Sequence, residues 1–312
     1  MKEIKFDRLG FALNVDANAA YETNAEELYR AALIGADKSR SKFQQIYGVK
    51  DRVKLGLVEA ASMVKPGACD FDPSDIDISQ ITLTVCPIMI GTAFCVEDLE
   101  SSFLSDQIGK GSSDFKQPAA FMNFLYETVA NKVDEELELI TWQGVSSTGA
   151  TYIDSCDGLE YKLSIDPTVL SAATASTVTS ANVIDKLIEA RNAMGVAVRR
   201  KSDFTYMVSQ NVYDALADAV STNKASGLYY VENVELKFQG VSVTLADGMS
   251  DDVIVAGSLS NFVYATDLLA DTQSFNFVDF MKTTLVRKIG LRTDAKINFS
   301  YKIGAEIYFH KP

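Results

Sequence analysis

Apolar and polar residues alternate over residues 52–90, which indicates two β-strands. The first strand lies near RVKLGLVEAASMV and the second near ISQITLTVCPIMI. The segment between them, KPGACDFDPSD, is rich in proline, glycine and aspartate, as turns are. We therefore predict a long β-hairpin with a polar, acidic tip. A two-stranded hairpin alone is barely stable in water, so it either packs on a partner or belongs to a larger sheet.

A long amphipathic helix is predicted over residues 118–143. Pro118 suits the first turn of a helix, and Gly144 marks its end. Apolar residues recur along this segment at steps of three and four: Met122, Leu125, Val129, Val133, Leu137 and Ile140. A helix of this length extends about 39 Å and can act as a strut across the molecule.

The first 50 residues are predicted to form an extended arm with one or two short helices. Asn24 is a candidate N-cap for the helix AEELYRAALIG, and Gly35 ends that helix. Residues 36–50 are polar and basic, and their apolar positions have roughly helical spacing: Phe43, Ile46 and Tyr47.

Helical and strand patterns alternate after the long helix. TSANVIDKLIEARNAMG and QNVYDALADAV are predicted helices on either side of the strand DFTYMVS. VENVELKFQGVSVTLADG predicts two short strands around Gly240, and DVIVAGSLSNFVYATDL predicts a strand pair joined by a tight turn. The tail is strand-like in the pieces FNFVDF, TTLVRKIG, AKINFSYK and AEIYFHKP. The predicted fold class is therefore α+β, without internal repeats.

The chain is acidic, and its charge is uneven. Its 312 residues carry a net charge of −13, and 47% of them are hydrophobic, which is enough for a substantial core. Residues 66–200 contain 8 basic and 20 acidic residues, whereas residues 1–65 have a small basic excess. This balance argues against a dedicated nucleic-acid binder. Since neither a signal peptide nor a membrane-spanning run is present, we expect a soluble chain made in the cytoplasm.

No catalytic motif is found in the sequence. His310 is the only histidine and lies near the end of the chain, which argues against Ser-His-Asp or Cys-His catalysis. GKGSSD at residues 109–114 lacks the spacing of a phosphate-binding loop. The cysteines form no CxxC pair, so we expect neither a zinc site nor a disulfide framework. We interpret them as small hydrophobic residues or free thiols: Cys69, Cys86, Cys95 and Cys156.

Two acidic clusters are weak candidates for metal binding, and a solvated surface is the simpler interpretation of both. The cluster on the long helix also allows an inter-subunit salt-bridge surface, and it comprises Asp134, Glu135, Glu136 and Glu138. The cluster at the hairpin tip lacks the glycine and glutamate of an EF-hand loop, and it comprises Asp70, Asp72, Asp75 and Asp77. The basic run Arg199-Arg200-Lys201 either is solvated or meets an acidic neighbour. We therefore predict no catalytic, cofactor-binding or metal site.

The order of the predicted parts resembles that of the major capsid proteins of tailed phages, which have the Hong Kong 97-type fold. The resemblance covers nearly the whole chain and rests on the order of arm, hairpin, long helix, inserted α/β segment and strand-rich tail. Its most specific pieces are similar to segments of that family: ELELITWQGVSSTGATYIDSCDGL, DFTYMVSQNVYDALADAV and VSVTLADGMSDDVIVAGSLSNFVYATDL.

The resemblance implies a division of the chain into four parts. These are an N-terminal arm at 1–50, an extended β-hairpin loop at 51–90, a peripheral domain at 91–156 and 265–312 with its spine helix at 118–143, and an axial domain at 157–264. The hairpin loop would overlap a neighbouring subunit. The segment at 138–159, which contains the only tryptophan, would join the peripheral domain to the axial domain.

The resemblance also implies a shell protein that is not an enzyme. Hexamers and pentamers would form an icosahedral capsid around double-stranded phage DNA, contacted non-specifically, in a virion assembled in the host cytoplasm without a membrane. Portal and decoration proteins are possible partners. A separate scaffolding protein is expected, because the chain begins directly with the arm. Some family members cross-link subunits through Lys and Asn, for which the nearest candidates are Lys54, Lys65 and Asn298, with Glu306 as a helper.

Three alternatives stay open. An encapsulin-type nanocompartment has the same fold but encloses a protein cargo. A tail-tube protein is a further phage structural class, although such proteins are usually smaller and richer in β-structure. A carboxylate-based hydrolase with an inserted lid domain belongs to another class and would need Asp or Glu side chains that converge in a pocket.

Overall fold

The computed structural model describes residues 31–35, 38–60, 76–95, 119–146, 151–173, 175–222, 236–267, 276–279 and 288–312. The chain divides into two compact units. The first unit comprises Met1–Ala36, Met89–Glu135 and Leu269–Ala295, and the second comprises Asp37–Ile88, Glu136–Leu268 and Lys296–Pro312. Most of the predicted arm, the hairpin tip and the GKGSSD segment lie outside the described residues.

The predicted long helix is confirmed as α1 (Ala119–Gln143). On its predicted apolar face, Val133, Leu137 and Ile140 are buried, whereas Val129 is partly exposed. The amide of Gly144 donates to the Ile140 carbonyl at 3.2 Å and closes the last turn. None of the described helices is both long and apolar enough to cross a membrane.

The predicted hairpin is confirmed, but its second strand is shorter than expected. Strands β2 (Arg52–Ala60) and β3 (Ile76–Thr84) pair antiparallel, from Arg52↔Thr84 at the base to Ala60↔Ile76. The predicted second strand ran on through Ile90. The structure interrupts it at Val85, because the amide of Val85 donates to the Asp51 carbonyl at 2.9 Å and closes the hairpin base. The residues that follow form a separate strand, β4 (Cys86–Cys95), which pairs with the late strand β12 (Lys288–Tyr301).

The strand-like tail contains one strand that is much longer than predicted. Residues from TTLVRKIG and AKINFSYK, expected as separate strands, are continuous from Lys288 onward in β12 (Lys288–Tyr301). Buried and more exposed side chains alternate from Leu291 to Ile297. Arg292, Asp294 and Lys296 therefore lie on the more exposed face of a strand and do not form a turn. In the first unit, β12 pairs antiparallel with β11 (Asn276–Asp279).

A short parallel strand replaces a predicted helix in the arm. Ser39–Lys42 form a 3-10 turn, and β1 (Gln44–Ile46) pairs in parallel with β10 (Phe262–Thr266). Phe43, Ile46 and Tyr47 have roughly helical spacing but do not lie on a helix, because pairing with a distant strand outweighs a weak local pattern. In the second unit, β10 also pairs antiparallel with the end of β12.

A six-stranded sheet forms most of the remaining second unit. Its order is β5-β13-β9-β6-β8-β7, made of β5 (Leu170–Ser171), β13 (Tyr308–His310), β9 (Ile254–Ser258), β6 (Phe204–Val208), β8 (Val241–Leu245) and β7 (Lys237–Phe238). The helices of this part are α2 (Leu159–Ile165), α3 (Val183–Ala193), α4 (Val196–Arg199) and α5 (Gln210–Thr222). Side chains from α3 and α5 share one apolar core with β6, β8 and β9.

The predicted strand pair within DVIVAGSLSNFVYATDL does not form. Both strands exist, as β9 and β10, but they belong to different sheets. Between them the chain makes a 3-10 turn at Leu259–Asn261. Asp203 holds this turn by accepting hydrogen bonds from the Ser258 hydroxyl at 2.5 Å and the Ser260 amide at 2.9 Å. Burial opposes ionisation of Asp203, but these hydrogen bonds prevail and hold its pKa at about 2.

Candidate functional site: the junction at the end of the long helix

Buried polar groups and tightly packed glycines gather at the C-terminal end of α1 in the second unit. We call this place the helix-end junction and define it by Ser39, Arg40, Glu138, Trp142, Gly144, Gly158 and Gly248. It contains the stretch that the sequence singles out, because Trp142 and two of the glycines lie between residues 138 and 159. It also includes two residues of the arm that the sequence did not single out.

A buried ion pair joins the arm to α1. The Arg40 Nη1 atom lies 3.1 Å from Glu138 Oε2, and both side chains are almost fully buried. The other carboxylate oxygen, Oε1, accepts hydrogen bonds from the amide of Ser39 at 3.2 Å and from the Ser39 hydroxyl. A buried charge is tolerated only when it is paired and hydrogen-bonded, and this carboxylate meets both conditions.

Trp142 completes the contact between α1 and the arm. Its indole Nε1 donates to the Ser39 hydroxyl at 2.9 Å, and the whole side chain is buried. The ring of Phe43 packs edge-on against Trp142, with centroids 6.1 Å apart, and stacks on Phe262 at 5.4 Å. The segment from Ser39 to Phe43 is therefore fixed to the end of α1 and to β10 by charge, hydrogen bonds and aromatic packing.

Three glycines allow the backbone to approach the end of α1 closely. A Cβ at Gly144 would lie 2.2 Å from the Cys156 carbonyl, and one at Gly158 would lie 2.6 Å from the Trp142 carbonyl. A Cβ at Gly248 would lie 2.1 Å from the Glu138 carbonyl. Each of these distances is shorter than atoms tolerate, so the junction needs glycine at all three positions.

A disulfide joins the base of the hairpin to the loop that follows α1. Cys86, at the start of β4, is bonded to Cys156, 70 residues further along the chain. Our interpretation of these two cysteines as small hydrophobic residues or free thiols is therefore wrong. The fold brings the loop after α1 beside the hairpin base, with 5.8 Å between the two Cα atoms, and spacing along the sequence gave no sign of this approach. Cys95 is a free thiol, and Cys69 lies outside the described residues.

A partly buried lysine on α2, Lys162, supports the same hairpin base. The Lys162 amino group donates to Asn298 Oδ1 at 3.2 Å and to the Phe299 carbonyl, while Asn298 Nδ2 donates to the Thr84 carbonyl. Burial lowers the pKa of Lys162 to about 8, and the nearby charge of Asp157 limits the decrease. Sequence reasoning missed Lys162, since nothing in its local pattern indicates its contacts with Asn298 and Phe299.

The cross-link candidates are only partly brought together. Asn298 is held by Lys162 and the hairpin base, and Glu306 Oε2 lies 2.5 Å from the amino group of Lys201. Lys54 is exposed on β2, and Lys65 lies outside the described residues. Within this chain, the structure therefore places a different lysine, Lys162, beside Asn298.

The acidic cluster on α1 does not form a metal site among the described residues. Glu135 pairs with Lys132 at the surface, at 3.2 Å, whereas Glu138 is buried against Arg40. The solvated interpretation is therefore wrong for Glu138. Within the described ranges, no three acidic, histidine or cysteine side chains are grouped so that they could hold a metal ion. Of the second cluster, only the backbone of Asp77 is described, in β3.

The basic run at residues 199–201 and His310 both have partners within the chain. Lys201 forms its ion pair with Glu306, so the run meets an acidic neighbour within the chain. His310 is buried on the terminal strand β13, where its Nε2 lies 3.0 Å from the Ser176 carbonyl. Because a carbonyl only accepts hydrogen bonds, Nε2 carries the proton.

Solved structures with the same fold are shells of phages and related particles. A chain of the satellite phage P4 procapsid, a structure that includes the size determination (Sid) protein, matches with a TM-score of 0.63 and 9% identity, over 92% of this chain and 98% of that one. The capsid of an empty GTA particle matches with a TM-score of 0.58 and 13% identity, over 88% and 89%. A virus-like particle from Pyrococcus furiosus matches with a TM-score of 0.51 and 9% identity, over 92% and 98%.

These matches define the class of fold. The chain has the Hong Kong 97-like capsid fold over nearly its whole length, so the α+β fold that the resemblance implied is confirmed. No protein-family model matches the chain, and no curated protein matches it in sequence.

Proposed function

We propose that this chain is the major capsid protein of a tailed phage and that it assembles into the icosahedral shell around the double-stranded DNA genome. The observation that carries the proposal is the extent of the fold match. The match to a chain of the phage P4 procapsid covers 92% of this chain and 98% of that one. Little of the chain is therefore left for a separate catalytic domain, and we propose that it is not an enzyme.

The parts of the chain take the roles that the family resemblance assigns to them. We propose an arm at 1–50, an extended loop at 51–90, a peripheral domain at 91–156 and 265–312, and an axial domain at 157–264. Copies of the chain form the hexamers and pentamers of the shell. Scaffolding, portal and decoration proteins are the proposed partners, and the packaged DNA is contacted non-specifically. Assembly takes place in the host cytoplasm, without a membrane.

The helix-end junction supports this proposal by fixing the elements from which the arm and the hairpin extend. Arg40 and Trp142 hold the end of the arm, and the disulfide and Asn298 hold the hairpin base. These contacts set the direction in which the arm and the hairpin leave the body of the subunit. Shell contacts recur in every subunit, so modest interfaces sum to a stable particle.

A nanocompartment with a protein cargo is the second candidate function. The match to the Pyrococcus furiosus virus-like particle, over 98% of that chain, favours it. Its TM-score of 0.51 is lower than the 0.63 found for the phage P4 procapsid, which is why we place the phage capsid first.

A carboxylate-based hydrolase gains no support from the described residues. Its candidate cluster on α1 does not converge, since Glu135 is exposed beside Lys132 and Glu138 is neutralised by Arg40. Alanine substitutions across residues 134–138 test this class directly. If the chain were a hydrolase, these substitutions would abolish its activity without affecting assembly. If Glu138 is structural, as we expect, Glu138→Ala destabilises the subunit instead.

Electron microscopy of the purified protein tests the main proposal. The chain is expressed alone and together with the genes that surround its own, and particles are imaged by negative stain. Nucleic acid that survives nuclease treatment is measured on the same sample. Closed icosahedral shells with protected DNA are the expected result.

The other outcomes are informative as well. Closed shells that contain a co-purifying enzyme and no protected DNA would replace the phage capsid by the nanocompartment. Monomers or dimers alone, in both expression conditions and at high protein concentration, would overturn both shell functions.

A further inference from the structure

The disulfide between Cys86 and Cys156 has an asymmetric environment. Cys156 is fully buried, whereas Cys86 is partly exposed at the first position of β4. We therefore expect a small thiol in solution to reach Cys86 before Cys156. This difference in burial favours an exchange that begins at Cys86.

The bond joins the hairpin base to the loop after α1, and 70 positions of sequence separate the two cysteines. Cys86 directly follows Val85, which closes the base of the β2–β3 hairpin through its hydrogen bond to Asp51. On the other side, the carbonyl of Cys156 packs against Gly144 at the end of α1. Closing the bond therefore fastens the hairpin base to the helix-end junction.

The hairpin base also has non-covalent contacts that persist when the bond is open. The carbonyl of Thr84 accepts a hydrogen bond from Asn298, and the amide of Val49 donates to the Thr266 carbonyl at 3.0 Å. A small apolar cluster lies beneath the base and comprises Val49, Leu83, Val85, Val263 and Ala265. None of these contacts involves Cys86 or Cys156, so we expect them to keep the hairpin base in place when the disulfide is open.

We propose that Cys86 and Cys156 form a reversible redox lock that sets the mobility of the hairpin. In a reducing medium both cysteines are thiols, and the hairpin base is held only by the contacts just described. In an oxidising medium the bond forms and fixes the base to the junction.

The chemistry of the lock is thiol–disulfide exchange with a small-molecule disulfide such as oxidised glutathione. The Cys86 thiolate attacks the small disulfide, forms a mixed disulfide and releases one molecule of thiol. The Cys156 thiolate then attacks the Cys86 sulfur and releases the second molecule. Two protein thiols are oxidised and one small disulfide is reduced to two thiols, so atoms and electrons balance. Excess reductant reverses both steps, beginning at Cys86.

The lock has a consequence for assembly, and this consequence rests on the proposed function. Cytosol keeps thiols reduced, so a capsid subunit assembling there has a movable hairpin base that can adapt to its neighbours. Release of the particle into an oxidising medium closes the bond and fixes the hairpin in its assembled position. The lock itself is a property of the single chain and is tested without shells.

Alkylation and hydrogen exchange on isolated subunits test the lock. The protein is equilibrated with reduced or oxidised glutathione, free thiols are alkylated, and Cys86 and Cys156 are assigned by peptide mass. Amide exchange is then followed in peptides that cover residues 52–60 and 76–84. Cys86→Ser removes the bond at the partly exposed position, and Cys95→Ser is the matched control because Cys95 is a free thiol.

We expect the bond to form quantitatively with oxidised glutathione and to open with the reduced form. Opening should speed exchange in the hairpin strands at least about tenfold. Cys86→Ser should exchange at the fast rate in both media, and Cys95→Ser should respond like the unmodified protein. Thiols that stay free in oxidised glutathione, or hairpin exchange that is equal in both media, would overturn the proposal. Either failure leaves the shell function untouched, because microscopy tests that function separately.

Discussion

The ion pair of Arg40 and Glu138 places two charges away from solvent at the end of α1. Removing an ion from water costs several kcal/mol, which the pairing and the hydrogen bonds from Ser39 and Trp142 offset. In Arg40→Met, the Glu138 carboxylate stays buried without its guanidinium. We expect this variant to lower the free energy of unfolding by about 3–5 kcal/mol in urea titrations of the subunit.

A surface pair on the same helix provides the control. Lys132→Met removes an exposed partner of Glu135 and should change the free energy of unfolding by less than about 1 kcal/mol. The double variant Arg40→Met with Glu138→Leu should regain most of the lost stability, because it removes both buried charges. If Arg40→Met loses no more stability than Lys132→Met, the pair does not hold the arm.

His310 should make the subunit sensitive to mild acid. Burial lowers the pKa of His310, and the positive charge of Lys186 lowers it further. The hydrogen bond with the Ser176 carbonyl acts in the opposite direction. The unfolded chain therefore begins to bind a proton near pH 6.5, while the folded chain binds it only at lower pH. Stability from this group is complete above about pH 6.5 and is lost as the pH falls through the folded pKa.

Unfolding curves between pH 7.5 and 5 check this expectation. His310→Gln keeps a hydrogen-bond donor but cannot become charged, so it should lose less stability than the unmodified protein over that interval. Apart from Glu189 and Asp252, whose charges interact with His310, the acidic groups have the same surroundings in both proteins, so their contributions cancel in the comparison. If the free energy of unfolding changes equally with pH in both proteins, His310 takes up no proton on unfolding and its pKa is not lowered in the folded chain.

At the scale of single residues, the sequence identified Trp142 and the acidic cluster but not what they contact. Ser39 and Arg40 lie about 100 residues from Glu138 along the chain, and their local pattern is that of an ordinary polar segment. Glu138 was grouped with solvated carboxylates for the same reason. A buried charge is recognised by its partner, and the partner is visible only when the chain is folded.

At the scale of elements, the glycines packed at the C-terminal end of α1 should not tolerate a side chain. A Cβ at Gly158 would contact backbone atoms on three sides, at 2.6, 2.7 and 2.7 Å, and backbone cannot move aside as a flexible side chain does. We expect Gly158→Ala to destabilise the subunit by roughly 2 kcal/mol or more, as judged by thermal and urea unfolding. Gly195→Ala is the control, since no atom lies within 4 Å of its added Cβ. Equal behaviour of the two variants would show that the backbone at the junction is not tightly packed.

The apolar face of α1 gives a second prediction at this scale. Leu137 is buried, so Leu137→Asp places a charge with no partner in the core and should prevent folding, seen as insoluble protein or loss of cooperative unfolding. Asn131→Asp introduces the same side chain at an exposed position of the same helix and should fold normally. Soluble, assembling Leu137→Asp protein would show that the helix face is assigned wrongly.

Elements with strong periodic patterns were predicted well, and elements defined by pairing were not. The long helix and the base of the hairpin follow from spacing, because an amphipathic period is a property of the sequence itself. Strand β1 and the separation of β9 from β10 depend on which distant strand offers hydrogen bonds. The break at Val85 likewise depends on the carbonyl of Asp51.

At the scale of the whole molecule, the hairpin should matter more for assembly than for folding. Deleting residues 64–75, which include the predicted tip, should leave a subunit that unfolds cooperatively but forms few shells, as counted by electron microscopy. The reason is the proposed overlap with a neighbouring subunit, which adds an interface that the isolated chain lacks. Replacing the same residues by a Gly/Ser segment of equal length separates the effect of length from that of sequence. Normal shells from the deletion would contradict the overlap.

The sequence by itself determined where the long helix and the hairpin strands lie, because hydrophobic periodicity, turn residues and helix ends are local properties of the chain. It also determined that the body is acidic and that His310 is the only imidazole. Only the tertiary structure decided the partners of the buried charges, the pairing of Cys86 with Cys156 and the sheet to which each strand belongs. These features join residues that are tens to hundreds of positions apart, and such contacts arise when the packed core brings distant segments together.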